Sequence, residues 1–327
     1  MKIPTAKSLK ALLSASQRTE RQKKLMNHPV YLGNGLILAS TQWEGHVVVP
    51  GYNVDVAVGI VRDGIHEAWT TRLVQELLKP GDTYLNIGAN FGYYTCLGAR
   101  IVGGRGKVVS VEANPHVFCI LMKTIMWAGI ADRVIAFNRA AFAESNKEMS
   151  FTFDYQYIGG GHLKTDAEAN FPDSDVHYWQ TEALPRLLND QGKWIPQHGL
   201  MRSFNTKTLA LDDISEVEFA DIIHCDVEQA EPYVVLGALK LIDRSPKCKF
   251  IFEWSGYAYQ YREDHYRQAV KEMWDELSKR AFIVRYLYPE LMPDGAIKLS
   301  APLSYQEFIV GIHGDYVAIR LDQDPWA

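Results

Sequence analysis

Four residues close together in the chain have the types and spacing to hold a nucleotide-like ligand. Gly88, Asn90 and Gly92 form a Gly-x-Asn-x-Gly loop between an apolar run, Tyr84 to Ile87, and a helix-compatible segment, Phe91 to Ile101. Strand, glycine turn and helix in that order bring backbone N–H groups and a helix N-terminus to the carboxyl edge of a parallel sheet. The fourth residue is Glu112, which ends the run Gly106 to Glu112 and lies 24 positions after Gly88. An acid at the end of a second strand accepts hydrogen bonds from both ribose hydroxyls of an adenosine. A dinucleotide fingerprint needs glycine at position 93, where this chain has Tyr93. The spacing suits an adenosine ligand without a pyrophosphate, such as S-adenosylmethionine. A ligand-free turn and a solvated strand-end carboxylate are the plainer alternatives.

A third landmark runs Asp-Ile-Ile-His-Cys-Asp-Val-Glu-Gln-Ala-Glu over residues 221 to 231, followed by an amphipathic segment through Leu241 and a strand, Lys249 to Phe252, that ends at Glu253. Together, "NIGANFGYYT", "VVSVEANP", "LDDI…DIIHCDVEQAE…VLGALKLI" and "FIFEW" resemble the FkbM family of S-adenosylmethionine-dependent O-methyltransferases over roughly residues 50 to 260. The Gly64-Ile-His-Glu67 stretch ahead of "LLKPGD" resembles that family's lead-in. The resemblance implies a donor site drawn from Glu67, Asn86, Gly88, Ala89, Asn90, Gly92, Tyr93, Thr95, Glu112, Asn114, Asn138 and Asp226. The chain departs from the family at Asn86, His224 and Gln229, where Asp, Lys and Gly are usual. Asn86 removes a charge that could orient the methionine ammonium. His224 and Gln229 flank the strand end expected to be catalytic, so they bear on the acceptor and the base.

Methyl transfer to a hydroxyl needs the methyl carbon and the acceptor oxygen in line, at about 3 to 3.5 Å. A sugar hydroxyl is a poor acid, so a carboxylate or imidazole should take its proton, a contribution of about 10²- to 10⁴-fold. Asp226 is the first candidate, with Glu228 and Glu253 behind it and His162 as a loop-borne base. Asp226 and Glu253 could alternatively hold Mg²⁺ as a Lewis acid, but the pattern offers no obvious third ligand, so the metal-free version is preferred. Glu231 reads as a cap of the following helix. The stretch from about 150 to 207 carries Gly159-Gly160-Gly161, Tyr155, Tyr157, His162, His177, Tyr178, Trp179 and Trp194, and the loop after Glu253 adds Trp254, Tyr257, Tyr259 and Tyr261. Such rings stack on sugar faces or pack as core with a polar handle. Tyr157, His162, Trp179 and Trp254 are the acceptor candidates. From the resemblance, the acceptor is a glycan or glycosylated natural product. A polyketide-type small molecule, or a catalytically silent module of a glycan-assembly complex, is the alternative.

The elements that must position these residues follow from the patterning. The expected fold is α/β, a doubly wound, Rossmann-like sheet of seven strands near 83–87, 107–112, 133–138, 221–226, 249–253, 281–287 and 316–321. The 150–207 insertion, an acceptor site and lid, separates the third strand from the fourth. Residues 81–327 make this domain, 31–80 a small β extension with a lead-in helix from Glu67 to Leu78, and 1–30 a basic arm. The arm has seven Lys and Arg against Glu20 alone, whereas the chain of 327 residues has a net charge of −5. It reads as a basic helix for anionic lipid or glycan, or as a solvated helix packed on the domain or on a second subunit. The acidic balance argues against a general nucleic-acid binder. No apolar run approaches the ~18 to 20 residues of a membrane span, and no signal-like segment begins the chain. Cys96, Cys119, Cys225 and Cys248 form no Cys-x-x-Cys pair. Buried free thiols in a reducing cytoplasm are the expectation, without zinc.

Overall fold

The computed structural model describes residues 28–154, 157–163 and 201–326. Three antiparallel strands, β1 (Val30–Gly33), β2 (Leu36–Ser40) and β3 (His46–Pro50), form the expected β extension. The apolar run after them, read as more of that extension, is instead helix α1 (Val56–Asp63). Asp55 caps its start, accepting from the Val56 N–H, and Gly64 closes it in the left-handed region at φ 70°. The lead-in helix is α2 (Ala68–Leu77), ended by the extended Leu78 ahead of Pro80.

The main domain begins with β4 (Thr83–Ile87), α3 (Tyr93–Val102), β5 (Lys107–Glu112), α4 (Pro115–Trp127) and β6 (Val134–Asn138). A smaller sheet interrupts it, made of β7 (Ala140–Ala141), β8 (Glu148–Asp154), β9 (His162–Leu163) and β10 (Met201–Leu209), in the order β7-β10-β8-β9. The start and end of the presumed irregular insertion are therefore paired strands, registered from Met201 opposite Asp154 to Lys207 opposite Glu148. The chain then returns through β11 (Ile222–Cys225), α5 (Glu231–Leu236), α6 (Leu239–Arg244), β12 (Lys249–Trp254), α7 (Gly256–Tyr261), α8 (Asp264–Lys279), β13 (Phe282–Leu291), β14 (Ile297–Leu299), α9 (Tyr305–Ile309) and β15 (Gly314–Arg320). The single amphipathic helix expected after Glu231 is thus two short ones.

All seven expected strands belong to one sheet in the order β14-β13-β15-β12-β11-β4-β5-β6. The short β14, which the sequence reading omitted, makes it eight-stranded by pairing with β13. β6, β5, β4, β11 and β12 run parallel, and β15 runs antiparallel between β12 and β13. Helices cover both faces, so the central strands are apolar throughout rather than alternating. One core lies under α2, α3 and α4, with Tyr84, Leu97 and Leu121 buried; the other lies under α5, α6 and α8, with Ile223, Leu241 and Val270 buried. Successive strands run outward from β4 on one side and from β11 on the other. The boundary between them is the topological switch point, where such sheets bind ligands outside the strands' carboxyl ends.

Of the four cysteines, Cys96, Cys225 and Cys248 are buried, whereas Cys119 on α4 is exposed. Among the described residues, no helix is long and apolar enough to cross a membrane. The basic arm lies almost wholly outside the described residues.

Candidate active site

At the switch point, β4 and β11 end side by side. Gly88 sits at φ 80°, and a Cβ on it would lie 1.7 Å from the Asp226 carbonyl oxygen. Only glycine fits, because the Asp226 N–H bonds the Ile87 carbonyl at 2.9 Å and draws the two strand ends together. The loop is then pinned from the other side: the N–H groups of Gly88 and Ala89 both donate to the Val111 carbonyl at 2.9 Å. Asn90, at φ 48°, tolerates the left-handed region because its Oδ1 accepts from the Phe91 N–H at 2.8 Å.

Glu112 ends β5 beside this loop. Its Oε2 accepts from the Asn90 N–H at 2.9 Å and its Oε1 from the Asn114 N–H at 2.8 Å. Burial pushes its carboxyl up to about 7, against those backbone bonds. Asn114 caps α4, its Oδ1 accepting from the His116 and Val117 N–H groups. Its Nδ2 is buried and has no hydrogen-bond partner among the described residues. Asn138 steadies the corner, donating from Nδ2 to the carbonyls of Glu112 at 2.8 Å and Ala113 at 3.1 Å. A cleft of about 610 Å³ opens here, lined by Gly88, Asn90, Glu112 and Asn114 on one side and by Phe151 and Gly159 of the inserted segment on the other. An orphaned amide donor and a carboxylate fixed by backbone bonds fit a ligand that offers hydroxyls and ring acceptors, as an adenosine does.

Asp226 also lines this cleft, whereas the other donor candidates do not. Asn86 and Thr95 are buried behind the loop, Asn86 Nδ2 donating to Thr95 Oγ1 at 2.9 Å and Thr95 pairing with Ser110 at 2.8 Å. Gly92 serves packing, since a Cβ there would meet Leu121 Cδ1 at 2.7 Å. Tyr93 is buried with its hydroxyl 3.1 Å from Thr71 Oγ1. Glu67, at φ 42°, accepts from the Tyr94 hydroxyl at 2.8 Å on the α2 side. His224 is buried in the same region, its Nδ1 2.9 Å from the Tyr84 hydroxyl, and burial holds its imidazole down to about 3. It is a buried core histidine paired with the Tyr84 hydroxyl.

Acids gather on the opposite side of Gly88. Asp226, Glu231 and Glu253 each offer an oxygen, all within 4.8 Å of one another. Desolvation, followed by repulsion from Glu253 and Glu67, holds Asp226 well above the carboxylate range. Burial and then Asp226 push Glu228 up to about 9, and burial and then Glu228 do the same to Glu253. Glu231, raised to about 7 by burial and expected from the sequence only as a helix cap, is the third acid of this group; its Oε1 turns back to accept the Val227 N–H at 2.9 Å. Between these acids, Glu228 at φ 52° and Gln229 at φ 76° are consecutive left-handed residues without glycine, an arrangement that costs about 1 to 3 kcal/mol each. Gln229 Oε1 accepts from Arg262 Nε at 2.8 Å.

Glu228 borders three spaces. One is the 610 Å³ cleft; the second, about 740 Å³, is lined by Phe142, Met149, Tyr233, Arg262 and Tyr266; the third, about 260 Å³, by Glu231, Glu253, Trp254 and His313. Phe142 and Tyr233 stack at 4.5 Å and 24°. The sequence reading overlooked Phe142, Tyr233 and Arg262, although Tyr233 lies two residues past Glu231 and Arg262 just ahead of α8.

The acceptor candidates fare differently. Gly161 and Leu163 line the cleft, so strand alternation turns His162 to the opposite face, beside Thr152. Its Nδ1 lies 3.0 Å from the Gly160 carbonyl. That placement does not suit a base beside Asp226. Tyr157 is half exposed and outside all three spaces. Trp254 is core: its ring stacks on Phe308 at 4.4 Å, and Nε1 donates to the Phe308 carbonyl at 2.7 Å. Trp179, with His177, Tyr178 and Trp194, lies outside the described residues.

A doubly wound sheet in which β15 and the edge strand β14 run against the others, a glycine loop at the switch point and an acid at the next strand end agree with the S-adenosylmethionine-dependent methyltransferase class. The methyltransferase FkbM domain model matches residues 86–284, more than half of the chain, and the chain belongs to that family. No curated protein matches it. Among solved structures it is similar to an O-methyltransferase from Bacillus cereus in complex with SAH, at 16% identity over 80% of this chain and 84% of that one, with a TM-score of 0.40. A putative O-methyltransferase from Klebsiella pneumoniae is similar at 12% identity over 79% and 82%, also with a TM-score of 0.40.

Proposed function

We propose that the chain is an O-methyltransferase acting on a hydroxyl of a sugar, in a polysaccharide or a glycosylated natural product. The observation that carries this reading is that Glu228 walls both the cleft beside Glu112 and the aromatic space next to it. When bound, S-adenosylmethionine supplies an electrophilic methyl group on a positively charged sulfur. Glu112 and Asn114 would hold its ribose and base, and Gly88 would let its chain pass close to the strand end. Stacked Phe142 and Tyr233 offer a flat apolar wall of the kind sugar rings pack on.

Asp226 is the proposed base, with Glu228 beside it. Desolvation and repulsion from neighbouring acids favour the protonated forms of both acids in the ligand-free site, and a neighbouring cation favours their ionised forms. The acid cluster is thus matched to a cationic donor, and once ionised it can accept the hydroxyl proton. A second reading has a specific support: Asp226, Glu231 and Glu253 converge closely enough to share Mg²⁺.

Labelled-methyl transfer to a panel of sugar hydroxyls tests both. Asp226→Asn should keep S-adenosylhomocysteine affinity and lose turnover by about 10²- to 10⁴-fold, with EDTA having little effect. Loss with EDTA and recovery with Mg²⁺ selects the metal reading. Full turnover in Asp226→Asn contradicts both versions, and transfer only to non-sugar hydroxyls moves the acceptor to another class.

A further inference from the structure

We propose that the aromatic space takes an acceptor bearing an anionic group, held by the guanidinium of Arg262, which Gln229 positions. This rests on the reading of that space as the acceptor site. Arg262 lines it together with Tyr233 and Tyr266. Its guanidinium lies over the Tyr266 ring at 5.3 Å from the centroid, and its Nε is tied to Gln229 Oε1 at 2.8 Å. Among the described residues no carboxylate lies at ion-pair distance from it, although its charge is felt by the buried Glu231. Glu263 shares the wall without an ion pair to Arg262, and Glu228, the other acid there, is pushed up to about 9 by burial. The two Nη groups are therefore left to serve a ligand.

The second observation is the strain at Gln229. A non-glycine residue at φ 76°, following another at φ 52°, persists only where something compensates it. Among the described residues its side chain bonds Arg262, and so steadies the fork. A tethered, ring-backed guanidinium is preorganised for a planar or tetrahedral oxyanion. A sugar carboxylate and a phosphate monoester share that chemistry, and a uronic acid supplies it on the ring that carries the hydroxyl.

The test uses the full chain loaded with S-adenosylhomocysteine, with D-glucuronate, inorganic phosphate and D-glucose as probes. Calorimetric or NMR titration should show glucuronate binding more tightly than glucose, and Arg262→Gln should reduce that preference by about 10- to 100-fold. Gln229→Gly, which relieves the strained turn, should reduce it by less, because the guanidinium stays but loses its tether. Phosphate binding as tight as glucuronate points to a phosphorylated acceptor, and weaker phosphate binding to a uronic acid. Equal binding of glucuronate and glucose by the wild type, or an unchanged preference in Arg262→Gln, overturns the inference. Methyl-transfer assays report separately: turnover on neutral sugars alone leaves the sugar reading intact, whereas anion binding without any sugar turnover removes the sugar reading and keeps the anion site.

Discussion

The cleft on the β5 side of Gly88 and the acid-rich space on the β12 side are built by opposite means. In the cleft, backbone N–H groups of Gly88, Ala89, Asn90 and Asn114 fix the loop and Glu112, and this wall lies within 27 residues of sequence, although Phe151 and Gly159 close the other side. In the second space, side chains from Phe142, Tyr233 and Arg262 meet across 120 residues, and its Glu228 is repelled by Asp226 and Glu231 next to it. A site made from backbone is rigid and local. A site made from distant side chains can change one residue at a time. The half that should bind a common donor is of the first kind, and the half that should choose an acceptor is of the second.

The largest effect expected is at the seam between them. Gly88→Val would press a side chain onto the Asp226 carbonyl, destabilising the fold by about 3 kcal/mol or more. Urea unfolding measures this, and native-like stability in the variant would mean the seam is looser than described. Trp254→Ala follows. As a core ring bonded to Phe308 it should cost about 3 to 5 kcal/mol of stability, read as a lower melting temperature. A normal melt with impaired sugar turnover would return Trp254 to the acceptor site.

Next is Glu112→Ala, which removes charge-assisted bonds worth roughly 1.5 to 3 kcal/mol. Calorimetry with S-adenosylhomocysteine should show the loss; wild-type affinity would detach Glu112 from the ribose. The smallest effect is a pH slope. Glu228 and Glu253 titrate near 9 when folded, so between about pH 7 and 9 the folded chain holds protons that the unfolded chain has released. Stability of the ligand-free protein should therefore fall as pH rises through that window. His66 and His224, held down to about 4 and 3 by burial, act with the opposite sign but only below their ordinary value of 6.5. Glu228→Gln should flatten the slope, and an equal slope in the variant would show that Glu228 titrates normally.

The same contrast explains what could be read from the sequence. β4, β5 and the glycine loop are contiguous; their periodicity and spacing point to Gly88, Asn90 and Glu112, the family resemblance adds Asn114, and the four line one cleft. Asn86, Thr95, Gly92 and Tyr93 share that stretch, but side-chain direction decides whether a residue faces ligand or core, and a motif does not carry it. β14 has three residues and the weakest pattern of the sheet. The run Val56 to Val61 is β-branched enough to look extended, yet the Asp55 cap and tertiary packing make it a helix. Arg262 and Phe142 belong to no motif; only the fold brings them together.

Because no atom can be inserted between Gly88 and Asp226, the seam acts as a hinge pin that cannot wear. Diversification of such a chain must proceed outward from it. New substrates would be reached by rewriting the inserted sheet and the turn from α7 into α8, while the pin carries the same chemistry from one descendant to the next.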